Sequence, residues 1–148
     1  MLMITDPPRQ VAPEALAGKE RDTVVLTWEE RRWGRRRALT RNGREVALVL
    51  PTGSVLSPGL VLALEQDWYL VVEPAPEPVL AAFPRDPAEA IRVAFEVGNR
   101  HFSLAQAEDA LLVPDDAAME QLLSRLGVRW ERRVTVFEPI AGGGHRHA

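Results

Sequence analysis

The chain has 148 residues, 46% hydrophobic and 26% charged, a composition suited to one ordinary folded domain or two small ones. Its 18 basic and 21 acidic residues give a formal charge of -3, which argues against a whole-protein attraction to nucleic acid or anionic membrane. Cysteine is absent, so disulfides, thiolate zinc sites and iron–sulfur clusters are excluded, and any metal must be held by His, carboxylates, backbone or water.

Residues 1–13 hold three prolines and read as extended, with a short strand at Leu2–Thr5. They lack the basic start and apolar run of a signal peptide. No apolar stretch approaches the ~20 residues that span a bilayer, so the expected compartment is the cytoplasm. Thr23–Trp28 is rich in β-branched and aromatic residues and predicts a strand. Asn42-Gly43, between Arg36–Thr40 and Glu45–Leu50, predicts a hairpin closed by a type I′ turn. Pro51, Gly53, Pro58 and Gly59 punctuate a loop, and strands follow near Leu60–Leu64 and Trp68–Glu73. The alternate prolines of Pro74-Ala75-Pro76-Glu77-Pro78 suit a stiff linker, which puts a domain boundary after residue 75.

The second half changes character. Val79–Phe83 reads as a strand, and Asp86-Pro87-Ala88-Glu89 as a capped helix start. Ile91, Ala94, Phe95 and Gly98 recur at helical spacing and form the expected apolar stripe, with Gly98-Asn99 as a left-handed end. Short strands are expected at His101–Leu104 and Ala110–Val113. A second helix, capped by Asp115 or Asp116, carries Met119, Leu122, Leu123 and Leu126 to Gly127, and Val128–Phe137 makes a last strand. The predicted class is α+β, an N-terminal all-β domain (1–75) followed by a ferredoxin-like βαββαβ domain (76–140). A His-containing tail (141–148) completes the chain.

Only three histidines occur: His101 just past the first long helix, and His145 and His147 on the Gly-rich tail. Imidazole suits borderline divalent ions such as Ni²⁺, Cu²⁺ and Zn²⁺, and His-x-His on a free backbone can give one ion two donors. The blander readings stand beside these. His101 at a helix end can simply favour the dipole, and the tail can be an inert end or a cloning scar. One histidine makes no site, but two related by a dimer axis can. Catalysis finds no support: no nucleophile elbow, base–orienter pair or phosphate loop is present. Arg31–Arg37 holds five arginines and Trp33, and reads as a charged strand edge or as a surface for an acidic partner. Trp28, Trp33, Trp68 and Trp130 read as core or interface anchors.

The series Thr27–Arg31, Asn42–Gly53, Gly98-Asn99-Arg100-His101, Leu126-Gly127 and Phe137-Glu138-Pro139, ahead of a His-bearing tail, resembles the UreE family of urease accessory proteins. That resemblance implies a non-enzymatic nickel metallochaperone, a homodimer that delivers Ni²⁺ for assembly of the urease active site, working with the urease apoprotein and an accessory GTPase complex. It implies a partner-docking β domain and a metal-carrying ferredoxin-like domain. The family's interface histidine falls on His101 and its tail ligands on His145 and His147. This chain has Glu96 where many relatives carry a further His, Asp115–Ala118 where some carry several, and only two tail histidines. About one ion per dimer is therefore expected rather than bulk storage. A metal-independent adaptor is the alternative, and RNA binding is disfavoured because the base-stacking aromatic strand motif is missing.

Overall fold

A computed structural model describes residues 1–140. The chain divides into two compact units, with the division between Ala75 and Pro76.

The first unit holds two three-stranded sheets. One has the order β1 (Leu2–Ile4), β4 (Glu45–Val49), β3 (Arg35–Leu39), and the other β2 (Glu20–Leu26), β6 (Trp68–Pro74), β5 (Val61–Leu64). β1 runs parallel to β4 and β2 parallel to β6. A short helix, α1 (Pro13–Leu16), precedes β2. Alternate apolar residues of the strands, among them Ile4, Val24, Leu26, Val46, Leu48, Leu62, Leu70 and Val72, close one core together with Leu56 from a loop.

Two local expectations are corrected here. The strand expected at Thr23–Trp28 ends at Leu26. Thr27 and Glu30 form a reciprocal capping box: the Glu30 carboxylate accepts from Thr27 N–H at 2.9 Å and Thr27 Oγ1 from Glu30 N–H at 3.3 Å. This turns the chain into a 3-10 helix at Glu30–Arg32. The hairpin is present, with Leu39 opposite Glu45, but its turn is not type I′. Gly43 has φ 89° while Asn42 keeps a negative φ, and Gly43 N–H donates to Thr40 O at 3.0 Å. That is a type I turn followed by a left-handed glycine. Asn42 is held there by its N–H to Asp22 Oδ1, 3.0 Å, and its side-chain amide to Glu20, 2.7 Å.

The second unit is ferredoxin-like. Strand β7 (Pro76–Phe83) leads to α2 (Pro87–Asn99), β8 (Ala105–Gln106), β9 (Leu111–Pro114), α3 (Ala117–Leu126) and β10 (Arg129–Val136). The sheet is fully antiparallel in the order β10-β7-β9-β8. The expected linker is largely strand, because Pro76 and Pro78 pair with Val136 and Val134 of β10. Both lie beyond the stretch of β7 that β9 covers, where the strand has one neighbour and proline is tolerated. The strand expected at His101–Leu104 is replaced by the shorter Ala105–Gln106, because the chain there is busy closing α2. Leu80, Ala82, Val93, Val97, Val113, Met119, Leu122 and Leu123 form the core.

Candidate functional site

Helix α2 starts as its sequence predicts. Asp86 accepts from Glu89 N–H at 2.8 Å, with Pro87 in the first turn. Its inward face differs from expectation. Val93 and Val97 are fully buried, whereas Ile91 and Phe95 are 70% and 66% exposed. The helix therefore carries apolar residues on two faces, and the row Ile91, Phe95, Gly98 points away from this chain's own core. Gly98 is part of that row and is helical. A Cβ built on it would meet nothing within 4 Å among the described residues, so none of them requires a glycine there.

The end of α2 is also corrected. Gly98 and Asn99 stay helical, and Arg100 caps. The left-handed residue is His101 itself, with φ 62°, the sole non-glycine residue at positive φ among those described. Phe102 N–H reaches back to Val97 O at 3.2 Å and His101 N–H to Gly98 O at 2.9 Å. This is a Schellman closure with His101 where glycine usually sits. Val97 and Phe102 both pack on the core, which supplies the apolar contact that accompanies such a closure. Arg100 Nη1 ties the last turn, donating to the Glu96 carboxylate at 2.6 Å and to Glu96 O at 3.0 Å. The His101 side chain is exposed and makes no hydrogen bond or ion pair among the described residues. A non-glycine residue in a sparsely populated conformation, with an unengaged imidazole, is where function is to be sought.

No three His, Asp or Glu side chains converge on a possible metal site among the described residues. His145 and His147 lie outside the described residues. The chain leading to them is anchored: Phe137 is buried, and Ile140 N–H donates to Leu104 O at 2.8 Å. The last described residue, Ile140, is thus bonded to a residue three positions from His101. Of the two candidate capping aspartates, Asp116 accepts from Ala118 N–H at 2.7 Å, while Asp115 pairs with Arg132 at 3.6 Å.

The arginine run is not the uniform strand edge expected. Arg31 is 1% exposed and donates to Leu26 O at 2.9 Å. Arg36 pairs with Glu30 at 3.2 Å, and only Arg35–Arg37 of the run lie on a strand. None of the four tryptophans is fully buried, and Trp33 is 50% exposed.

Residues 6–75 match the family model of the UreE urease accessory protein N-terminal domain, and residues 77–148 that of its C-terminal domain. The chain belongs to the UreE urease accessory protein family. It is 39% identical over 143 residues to the urease accessory protein UreE of Cupriavidus necator, covering 95% of this chain and 73% of that one. It is 43% identical over 126 residues to the UreE of Deinococcus radiodurans, covering 85% and 81%. With the UreE of Ralstonia nicotianae it shares 39% over 142 residues, covering 92% and 67%. The family's two halves thus fall on the two units of the fold. Among the described residues no helix is long and apolar enough to cross a membrane.

Proposed function

We propose that this chain is an accessory protein of urease assembly that binds Ni²⁺ as cargo between two copies of itself and passes it on for the urease active site. The observation that carries the reading is the end of α2. An unengaged imidazole, His101, is held in a left-handed turn beside an exposed apolar row of Ile91 and Phe95. Covering that row with the same row of a second copy removes apolar surface from water, and two-fold symmetry then brings a second His101 to the first. Gly98 in the row lets two helices approach closely.

Two imidazoles leave coordination positions open, as suits a carrier that must release its ion. His145 and His147 are the added donors. From Ile140, five residues of extended chain span roughly 17 Å, enough to bring His145 back toward the α2 end. Copper should bind at least as tightly as nickel in vitro and zinc should also compete, so selectivity comes from partners or supply. The partners of this reading are the urease apoprotein and its accessory GTPase complex, the compartment is the cytoplasm, and no catalytic residue is invoked. Coordination requires neutral imidazole, so protons compete with the ion and nickel affinity should fall as pH drops from about 7.5 to about 5. Equilibrium dialysis against Ni²⁺ across that range checks this, and a flat profile contradicts it.

A further inference from the structure

The arginine run of the first unit has work left over once its internal contacts are assigned. Arg31 and Arg36 are engaged within the unit. Arg32 and Arg35 are exposed, and neither has a carboxylate partner among the described residues. Both line a groove of about 690 Å³ that also takes in Trp33, Val49, Pro51 and Thr52. No Asp or Glu lines it. Its floor is the contact of Gly34 with Leu50. Leu50 N–H donates to Gly34 O at 2.8 Å, and a Cβ on Gly34 would stand 3.4 Å from Leu50 Cβ. The half-exposed Trp33 ring is steadied by the Arg36 guanidinium, 5.4 Å from its centroid. Arg32 is likewise stacked against Trp28 at 5.5 Å, which limits the freedom it would lose on binding.

Guanidinium groups without a carboxylate partner, an exposed indole and an apolar wall make up the kind of surface that anchors protein partners, and guanidinium forks match carboxylates. We propose that this groove docks an extended acidic segment of a partner protein. Arg32 and Arg35 pair with its carboxylates, and Trp33 covers an apolar side chain between them. Charge complementarity favours this occupant over nucleic acid. The first unit carries ten basic and ten acidic side chains, without the broad excess that a phosphate backbone requires. The groove also has a single exposed ring rather than a row of stacking platforms. This inference is independent of the nickel reading, since no metal ligand lies in the groove.

The test uses the full chain, without metal, and fluorescence anisotropy of a labelled peptide rich in Glu around a central Phe. The same peptide with Gln at every Glu is the comparison. The acidic peptide should bind and the Gln peptide should not. Arg32→Glu with Arg35→Glu should weaken binding by about tenfold or more, and raised salt should weaken it in wild type. Trp33→Ala should also weaken it. Arg21→Glu with Arg125→Glu, the same change in net charge elsewhere, should leave it unchanged. If the first pair impairs folding by circular dichroism, Arg32→Gln with Arg35→Gln takes its place. Equal weakening by both charge-reversed pairs, equal binding of the Gln peptide, or tighter binding of single-stranded RNA through the same arginines would each overturn the proposal.

Discussion

At the scale of single residues, His101 carries a conflict between stability and use. A left-handed residue without glycine's freedom costs on the order of 1 kcal/mol. His101→Gly should therefore raise the metal-free stability of the second unit by about 0.5–1 kcal/mol in urea while removing the imidazole from the proposed nickel site. A loss of stability on that substitution would mean that the His101 side chain serves packing instead. Asp22 is the opposite case, a residue whose role is structural. It is buried, and burial pushes its carboxyl pKa up. The Thr40 hydroxyl, the Arg44 guanidinium and the N–H groups of Asn42 and Thr23 outweigh that and hold it below its ordinary value. A depressed folded-state pKa adds stability that is complete above the unfolded aspartate value of ~3.9 and is lost as pH falls through the lower folded value. Asp22→Asn should cost about 2–3 kcal/mol near neutral pH, and its gap from wild type should narrow only as pH falls below the unfolded aspartate value of ~3.9. Tryptophan fluorescence follows this, since three of the four tryptophans lie in the first unit. A gap that stays constant into acid would contradict it. His101 stood out in the sequence because only three histidines exist, but its backbone state did not. Gly98-Asn99 looked the natural end of α2, and the signal passed over was Phe102, an apolar residue five beyond Val97 that draws the closure past the glycine.

At the scale of elements, α2 decides the account. Its start was legible because Asp86, Pro87 and Glu89 act on neighbouring backbone. Its inward face was misassigned because the helix offers two apolar rows, 91/95 and 93/97, and local periodicity does not say which one a sheet will cover. The exposed row leads to a prediction. Phe95→Glu should convert the proposed dimer to monomer in light scattering, since a charge on each copy would be buried against the other. Gly98→Ala should raise helix stability by about 0.5–1 kcal/mol yet weaken the proposed dimerisation, because the added methyl meets nothing among the described residues of its own chain. A Gly98→Ala variant that dimerises as tightly as wild type would remove Gly98 from the interface. The capping box at Thr27 and Glu30 was readable in Thr-x-x-Glu and lay hidden behind the β-branched run before it. The turn at Asn42-Gly43 took another form than the dipeptide suggests because Asp22, twenty residues earlier, holds Asn42, and that contact is long-range.

At the scale of the whole molecule, the α+β class followed from the order of elements, and the antiparallel order β10-β7-β9-β8 realises it in the second unit. The pairing of β1 with β4 and of β2 with β6, both parallel, was not legible, because it depends on contacts distant in the chain. The proposed site has the same property one level up: no three ligands come together among the described residues of one copy, and the proposed set comes from two copies and the tail. The measurement that tests this most directly is nickel titration calorimetry with light scattering, on wild type and on His101→Ala. The account predicts a wild-type dimer that takes up about one ion per pair, and a variant that stays dimeric and loses that ion. A variant that binds nickel as tightly and in the same ratio as wild type would contradict it.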